Sequence, residues 1–393
     1  MQGGIPIGKA FGIPLKLHWS WFIIFALITW ALAVSYFPGT YPKWSLAMGV
    51  SAGIITSLLF FASVLIHELM HSLVAISEKI HIQGITLFIL GGVSEMTEEP
   101  KTAGDEFRMA FAGPGSSLVL GGIFLGIFFG LGGTIPAGGS IFNAIVPTTK
   151  SSSVQFIGAI AFWLGYINVA LGVFNLIPGF PLDGGRVLRS IIWWRTGQIQ
   201  NATKIAANIG RAIGYIFIAG GIFWLFYFGD LFNGIWLALI GWFLQSAASG
   251  SYRQMLIQDM LKGHSASEIM SRDCQTVAPD LTIDKLVNEN IMASGRRCFP
   301  VTSGGRAEGM ITLKDVQKIP REQWNSKTVR DAMTPMDKIK AVTPNEDLSN
   351  IMQTLAQNDI NQVPVVDDNN VVGIVARDNL VNFINVRAQL NKR

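Results

Sequence analysis

His67-Glu68-Leu69-Met70-His71 puts three ionisable side chains within five positions of an otherwise apolar run. From Leu46 to Ile66 the chain carries no charge, and apolar character resumes from Ser72 to Ile76. Ionisable residues at membrane depth are expensive, so such a cluster marks a functional site. On a helix the two histidines share a face, about 6 Å apart along the axis. Both imidazoles then reach one zinc ion, and Glu68, one position round, can hold a water as general base. The competing reading is a satisfied histidine pair inside a helix core.

Catalytic zinc normally takes three protein ligands and keeps a fourth position for water. His18, His81 and His264 lie in less suitable contexts, which leaves Asp183 as the candidate third ligand. It sits in Asn175-Leu176-Ile177-Pro178-Gly179-Phe180-Pro181-Leu182-Asp183-Gly184-Gly185-Arg186, where prolines and glycines stop a helix. Asn168 and Asn175 precede it in an apolar run. Broken backbone at membrane depth is a device for building a site. A carboxylate beside two imidazoles suits zinc. Asp before Gly-Gly-Arg is also turn chemistry, so a plain cap of the following helix stays open as the alternative.

The elements that must position these residues are membrane spans. The chain has 393 residues, 50% hydrophobic and only 14% charged, against about 25% charged in soluble proteins. Six hydrophobic segments, each long enough to cross a bilayer, lie near 15–37, 46–77, 107–132, 154–177, 205–227 and 231–249. The second and third are interrupted by polar or Gly/Pro residues. Between them, Ile82 to Met96 alternates and carries Gly91-Gly92, which predicts a short strand pair dipping toward the membrane. Lys9, Lys16, Lys79, Lys101, Arg108, Arg186, Arg189, Arg195 and Arg253 fall on one side of this arrangement, Lys43 and Lys150 on the other. The positive-inside rule makes both termini cytosolic, and a five-span alternative fits the charges worse. No cleavable signal peptide is read in Met1 to Pro14. A net charge of +4 gives little support for nucleic-acid binding. Cys274 and Cys298 form no Cys-x-x-Cys pair and read as two buried free thiols in a reducing compartment.

Beyond residue 265 the chain repeats itself. Ser267-Glu268-Ile269-Met270-Ser271 matches Val329-Arg330-Asp331-Ala332-Met333-Thr334, a period of about 62 residues. Each start leads to a Val-x-Pro (Val277 to Pro279, Val342 to Pro344), an amphipathic stretch, and Phe299-Pro300-Val301 or Val363-Pro364-Val365. Each unit closes on a Gly-led strand and helix start at Gly309 or Gly373. This predicts a tandem of small α+β modules packed on each other.

Together, His67-Glu68-x-x-His71 and Asn175-x-x-Pro178-x-x-Pro181-x-Asp183-Gly184 resemble the site-2 protease family of intramembrane zinc metalloproteases. The resemblance covers about the first 250 residues, including Gly91-Gly92 and Ala112-Gly113-Pro114-Gly115. The repeated part resembles a pair of cystathionine-β-synthase (CBS) domains, and with no PDZ-length insert the chain looks like the CBS-bearing branch. The resemblance implies that His67, His71 and Asp183 bind one zinc per chain, that Glu68 activates water, and that Asn175 lies near the site. It also implies a transmembrane segment as substrate. Asn175, Asn168, Gly91 and Gly92 are the candidate substrate contacts. In such pairs a Gly-x-x-Thr-x-x-Asp stretch binds the ribose and phosphate of an adenine nucleotide. Gly309 to Asp315 fits with Thr312 and Asp315, whereas Ala376 and Asn379 depart from it.

The expected architecture is therefore a membrane α-helical domain of six transmembrane helices with a short re-entrant β-hairpin, followed by a soluble α+β tandem CBS pair. Its boundaries fall at 1–250 for the protease domain, 251–264 for a linker, 265–324 for the first repeat and 325–393 for the second. The expected function is intramembrane zinc endoproteolysis regulated by adenine nucleotide, in the cell membrane of a prokaryote. A homodimer through the CBS pair is a further expectation, and no nucleic-acid partner is expected. The alternatives are a CBS-gated transporter, disfavoured by the lack of internal symmetry in the membrane part, and a non-cleaving binder of membrane proteins, disfavoured by the intact Glu68. The 84–96 hairpin reads either as an edge strand for an extended substrate or as a passive loop. The CBS pair reads either as a nucleotide sensor or as a structural dimerisation module.

Overall fold

The computed structural model describes residues 4–89, 91–96, 98–135, 145, 151–304, 306–358, 360–368 and 370–390. They form two compact units, Met1–Arg253 and Gln254–Arg393.

The first unit opens with two strands that the sequence pattern does not announce, β1 (Ile5–Ala10) and β2 (Ile13–Leu17). The two-residue turn between them, Phe11-Gly12, has positive φ at both positions, the hairpin geometry that matches strand twist. The first apolar span follows as α1 (Ser20–Ala31), a π-type turn over Leu32–Tyr36 and α2 (Phe37–Thr40). Its start at Ser20 corrects the expected 15, because 13–17 is strand. α3 (Leu46–Ser77) is capped by Ser45, whose hydroxyl accepts from the Met48 N–H, and it spans about 48 Å. The hairpin appears as β3 (Ile82–Phe88) and β4 (Gly91–Met96). It is not isolated: all four strands make one sheet in the order β1-β2-β3-β4, with β2 and β3 parallel. Ile13, Leu15, Ile82 and Ile85 bury that sheet against Leu69 and Ala75 of α3 and Met109 of the next helix.

That helix is α4 (Ala103–Gly130), followed by α5 (Ser152–Asn175), α6 (Asp183–Thr196), α7 (Ile199–Phe228) and α8 (Leu231–Leu261). α3 and α4 run unbroken through the polar and Gly-Pro positions that suggested interruptions, and Pro114 lies inside α4. Among the described residues six helices are long and apolar enough to cross a membrane. α6, shorter and carrying Arg186, Arg189 and Arg195, is not one of them. α8 continues through residues 251–261, which the composition marks as linker. Lys150, one of the residues used for orientation, lies outside the described residues.

In the second unit the first repeat runs through α9 (Ala266–Ile269), α10 (Ile283–Lys285), a π-type turn over Leu286–Ile291, α11 (Met292–Ser294), β5 (Cys298–Ser303), β6 (Arg306–Thr312) and α12 (Leu313–Gln317). The second runs through α13 (Val329–Ala332), β7 (Thr334–Pro335), α14 (Leu348–Gln357), β8 (Gln362–Asp367), β9 (Asn370–Ala376) and α15 (Arg377–Leu390). Each Val-x-Pro makes an equivalent parallel bridge, Val277 to Val301 and Val342 to Val365. The repeats also exchange their openings. Ser271 pairs with Ile374 of β9, and Thr334 pairs with Met310 of β6. Correspondingly, Val329 is buried in the core of the first repeat, and Leu261 and Ala266 in that of the second. Cys298 is buried, but Cys274 is partly exposed, which corrects the reading of two buried thiols.

Candidate metal centre

His67 and His71 lie in about the last three turns of α3, on its buried face. Asp183 is the first residue of α6, where α5 has ended at Asn175 and the Pro/Gly stretch has turned the chain. The cap position falls to Leu182 and no side chain caps α6, so Asp183 is not a plain cap; its carboxylate reaches back to the imidazoles. His67 Nε2, His71 Nε2 and Asp183 Oδ2 form a triangle with every side 3.2 Å. Four-coordinate zinc with bonds of about 2.0–2.1 Å separates its ligand atoms by about 3.3–3.4 Å, so this triangle fits one face of a zinc tetrahedron. Among the described residues it is the only such cluster of metal-ligating groups.

The groups behind the imidazoles hold them in ligating form. The His71 Nδ1–H donates to the Met109 carbonyl at 2.7 Å, which leaves the lone pair on Nε2. His67 Nδ1 is 2.9 Å from the buried Ser117 hydroxyl. Gly113 makes the room. A Cβ there would stand 2.1 Å from His71 Nε2 and 2.6 Å from His67 Nε2.

Glu68 faces a cavity of about 410 Å³ that His67, Asp183, Asn175, Gly91 and Gly92 also line, with Phe60 and Leu171 among its apolar walls. β4 lies against Glu68, since a Cβ on Gly92 would be 2.3 Å from Glu68 Cγ. A hydroxyl relay holds it there: Ser72 donates to the Glu68 carbonyl at 2.8 Å, and its Oγ is 2.9 Å from Ser94 Oγ. β4 is an outer strand of its sheet, with β3 on one side only. A metal seat, a carboxylate and a strand edge therefore share one cavity, an arrangement suited to hydrolysing an extended peptide.

The other candidates divide. Asn175 lines the cavity while donating to the Leu171 carbonyl at 3.0 Å. Asn168 does not line it. That side chain is fully buried and ties α5 to Ser63 of α3 at 3.3 Å, which corrects the expectation of a substrate contact. Thr312 and Asp315 form a capping box on α12, and Asp315 Oδ2 accepts from the Thr312 N–H and hydroxyl at 3.1 and 2.6 Å. In the second repeat Asn379 accepts from the Ala376 N–H at 2.8 Å, closing the same turn with fewer bonds. Sequence reasoning missed Met109 and Ser117, and named Gly113 only within the Ala112-Gly113-Pro114-Gly115 resemblance, without a role. It also missed Glu106, fully buried against Arg189, whose one signal was a charge pattern read only as topology.

Fold and site together define a multi-pass membrane zinc metalloprotease. Residues 55–219 match Peptidase family M50, and residues 266–322 and 329–386 match the CBS domain. A protein of Synechocystis named "Putative zinc metalloprotease" is 33% identical over 362 residues, 92% of this chain and 89% of that one. A zinc metalloprotease of Methanocaldococcus jannaschii is 29% identical over 91% of this chain and 90% of its own length. A solved site-2 protease from Methanocaldococcus jannaschii covers 64% of this chain and 96% of that one, at 29% identity and a TM-score of 0.40. The chain belongs to peptidase family M50, the site-2 proteases, and carries a tandem CBS pair. This sets aside the gated-transporter reading.

Proposed function

We propose that the protein cleaves transmembrane segments of membrane proteins, with His67, His71 and Asp183 holding zinc and Glu68 acting as general base. The observation that carries this reading is the 3.2 Å donor triangle beside Glu68 in a cavity walled by membrane helices. Zinc bound there would polarise the scissile carbonyl and acidify a water. Glu68 would take the proton from a water as its oxygen bonds to the scissile carbonyl carbon, and pass it to the amide nitrogen as the C–N bond breaks. A helical substrate hides its carbonyls, and unwinding it in lipid strands polar groups at a cost of several kcal/mol each. The outer edge of β4 would supply backbone partners for an unwound segment beside Glu68, with Gly91 and Gly92 letting it approach closely. Basic loops put both termini and the CBS pair on the cytosolic face of a prokaryotic cell membrane.

The test is Glu68→Gln, purified and offered a helical membrane substrate. Cleavage is expected to fall by at least about a hundredfold while zinc content stays at one per chain. Full turnover by this variant would refute the assignment. Asp183→Ala is expected to lose zinc and activity together, and stoichiometric zinc in it would put the third ligand elsewhere.

For the CBS pair we propose adenine-nucleotide regulation through Thr312 and Asp315, one site per pair. The two side chains already satisfy each other as a helix cap, which favours a second reading, a scaffold that pairs two copies of the chain. Calorimetry with ATP and AMP on residues 254–393 separates the two. Binding that Asp315→Ala abolishes supports the sensor, and no binding leaves the scaffold.

A further inference from the structure

α4 presents Glu106, Met109, Gly113 and Ser117 at spacings of three and four, one stripe along the helix. Three of the four serve the histidines: the Met109 carbonyl holds His71, Ser117 holds His67, and Gly113 keeps the space before both Nε2 atoms open. Glu106 serves the other side of the seat. It is fully buried, and its Oε1 accepts from Arg189 Nε at 2.6 Å and from Arg189 Nη2. Arg186 Nε lies 3.8 Å from the same oxygen. Both arginines belong to α6, the helix that begins with Asp183. Arg189 also stacks over Phe180, 5.5 Å from the ring centroid, and so touches the loop leading into Asp183.

From this we infer that the Glu106–Arg189 pair is a positioning device for the third ligand: it locks α6 onto the α4 stripe that holds both histidines, so that Asp183 closes the seat in register. The inference rests on the zinc reading of His67, His71 and Asp183. A buried ion pair is a poor way to gain stability, since apolar residues of similar volume do as well or better. It is a good way to fix register, because only one alignment of the two helices satisfies both charges. Registration is what a ligand six residues before Arg189 requires.

The experiment measures zinc affinity of the full-length protein in detergent, stripped by chelation and titrated with zinc against a competing chelator dye. Arg189→Lys keeps the charge and loses the two-donor grip on Oε1. Glu106→Leu combined with Arg189→Leu removes both charges together. Both are expected to bind zinc about 10–100-fold more weakly, with Arg189→Lys unfolding thermally near the wild-type temperature; the double variant also strands Arg186, 3.8 Å from Glu106 Oε1, and is expected to melt lower. At subsaturating zinc kcat should fall with KM unchanged, and saturating zinc should restore it. Arg108→Gln, on the same helix but bonded to Asp105 and Glu78, should leave zinc affinity unaltered. The inference is overturned if the double variant binds zinc as tightly as wild type, if Arg189→Lys loses thermal stability without losing affinity, or if Arg108→Gln weakens zinc equally. A wild-type chain that takes up no zinc would remove the underlying reading and this inference with it; normal wild-type uptake beside unaltered variants removes this inference alone.

Discussion

At Gly113 the distance to His71 Nε2 leaves no room for even a methyl group, and the neighbouring atoms are the proposed zinc ligands themselves. Gly113→Ala is therefore expected to lose bound zinc while keeping its helical circular dichroism, because alanine is the better helix former. Full zinc occupancy would mean that the imidazoles can retreat. Ser117→Ala removes one orienting bond and leaves the seat open, so a loss of about 10–100-fold in zinc affinity is expected by metal competition. In the second unit, burial pushes the Cys298 thiol up to about 12, with Asp315 adding to it. Burial also raises Cys274, but that thiol is partly exposed. At pH 8 only about one Cys298 in ten thousand would be thiolate. Iodoacetamide followed by mass spectrometry is thus expected to find label on Cys274 well before Cys298, with the gap closing only on unfolding.

Between elements, small residues set how closely helices approach. A Cβ on Gly221 of α7 would stand 2.5 Å from the Gly234 carbonyl oxygen and 2.5 Å from the Ala238 nitrogen of α8, both backbone atoms that cannot step aside. Gly221→Val is expected to cost about 1–3 kcal/mol, seen as a lower unfolding temperature in detergent. How far such elements are legible depends on whether their stabilising contacts are local. The long apolar runs, the bounds of α3 and the break between Asn175 and Asp183 follow from composition and from proline and glycine chemistry. The hairpin strands β3 and β4 follow from alternation around Gly91-Gly92. β1 and β2 do not, because Pro6, Gly8 and Pro14 interrupt their pattern and β2 gains its place by pairing with β3, some seventy residues later. The proposed ligands stand out in the sequence because metal chemistry restricts residue type and spacing. Met109 acts through a backbone carbonyl that any residue could supply, so it carries no type signal, and Gly113 is one of 42 glycines, marked in the sequence only by the Ala112-Gly113-Pro114-Gly115 resemblance. Asn168 misled because a buried amide tying two helices looks, in sequence, like one facing a site.

Across the whole chain, the boundary between protease and CBS pair falls inside a helix. Leu261, on the last turn of α8, is fully buried in the core of the second repeat with Leu348, Ile351 and Val363. A soluble fragment beginning at residue 262 therefore lacks a core side chain, and is expected to be about 2–5 kcal/mol less stable than one beginning at 254. Paired urea melts of the two fragments check this, and equal midpoints would show that Leu261 is dispensable. The separation of the metal ligands along the chain bears on a different problem. His67 and His71 precede Asp183 by more than a hundred residues. During synthesis a nascent chain that has inserted its first four spans already carries both imidazoles and Glu68, but not the residue that closes the seat. On the proposed ligand set, activity is thus withheld until translation has passed Asp183 and α6 has docked. If it cuts membrane segments as proposed, the enzyme is by this ordering kept inert while its own segments, still unassembled, are the nearest ones available.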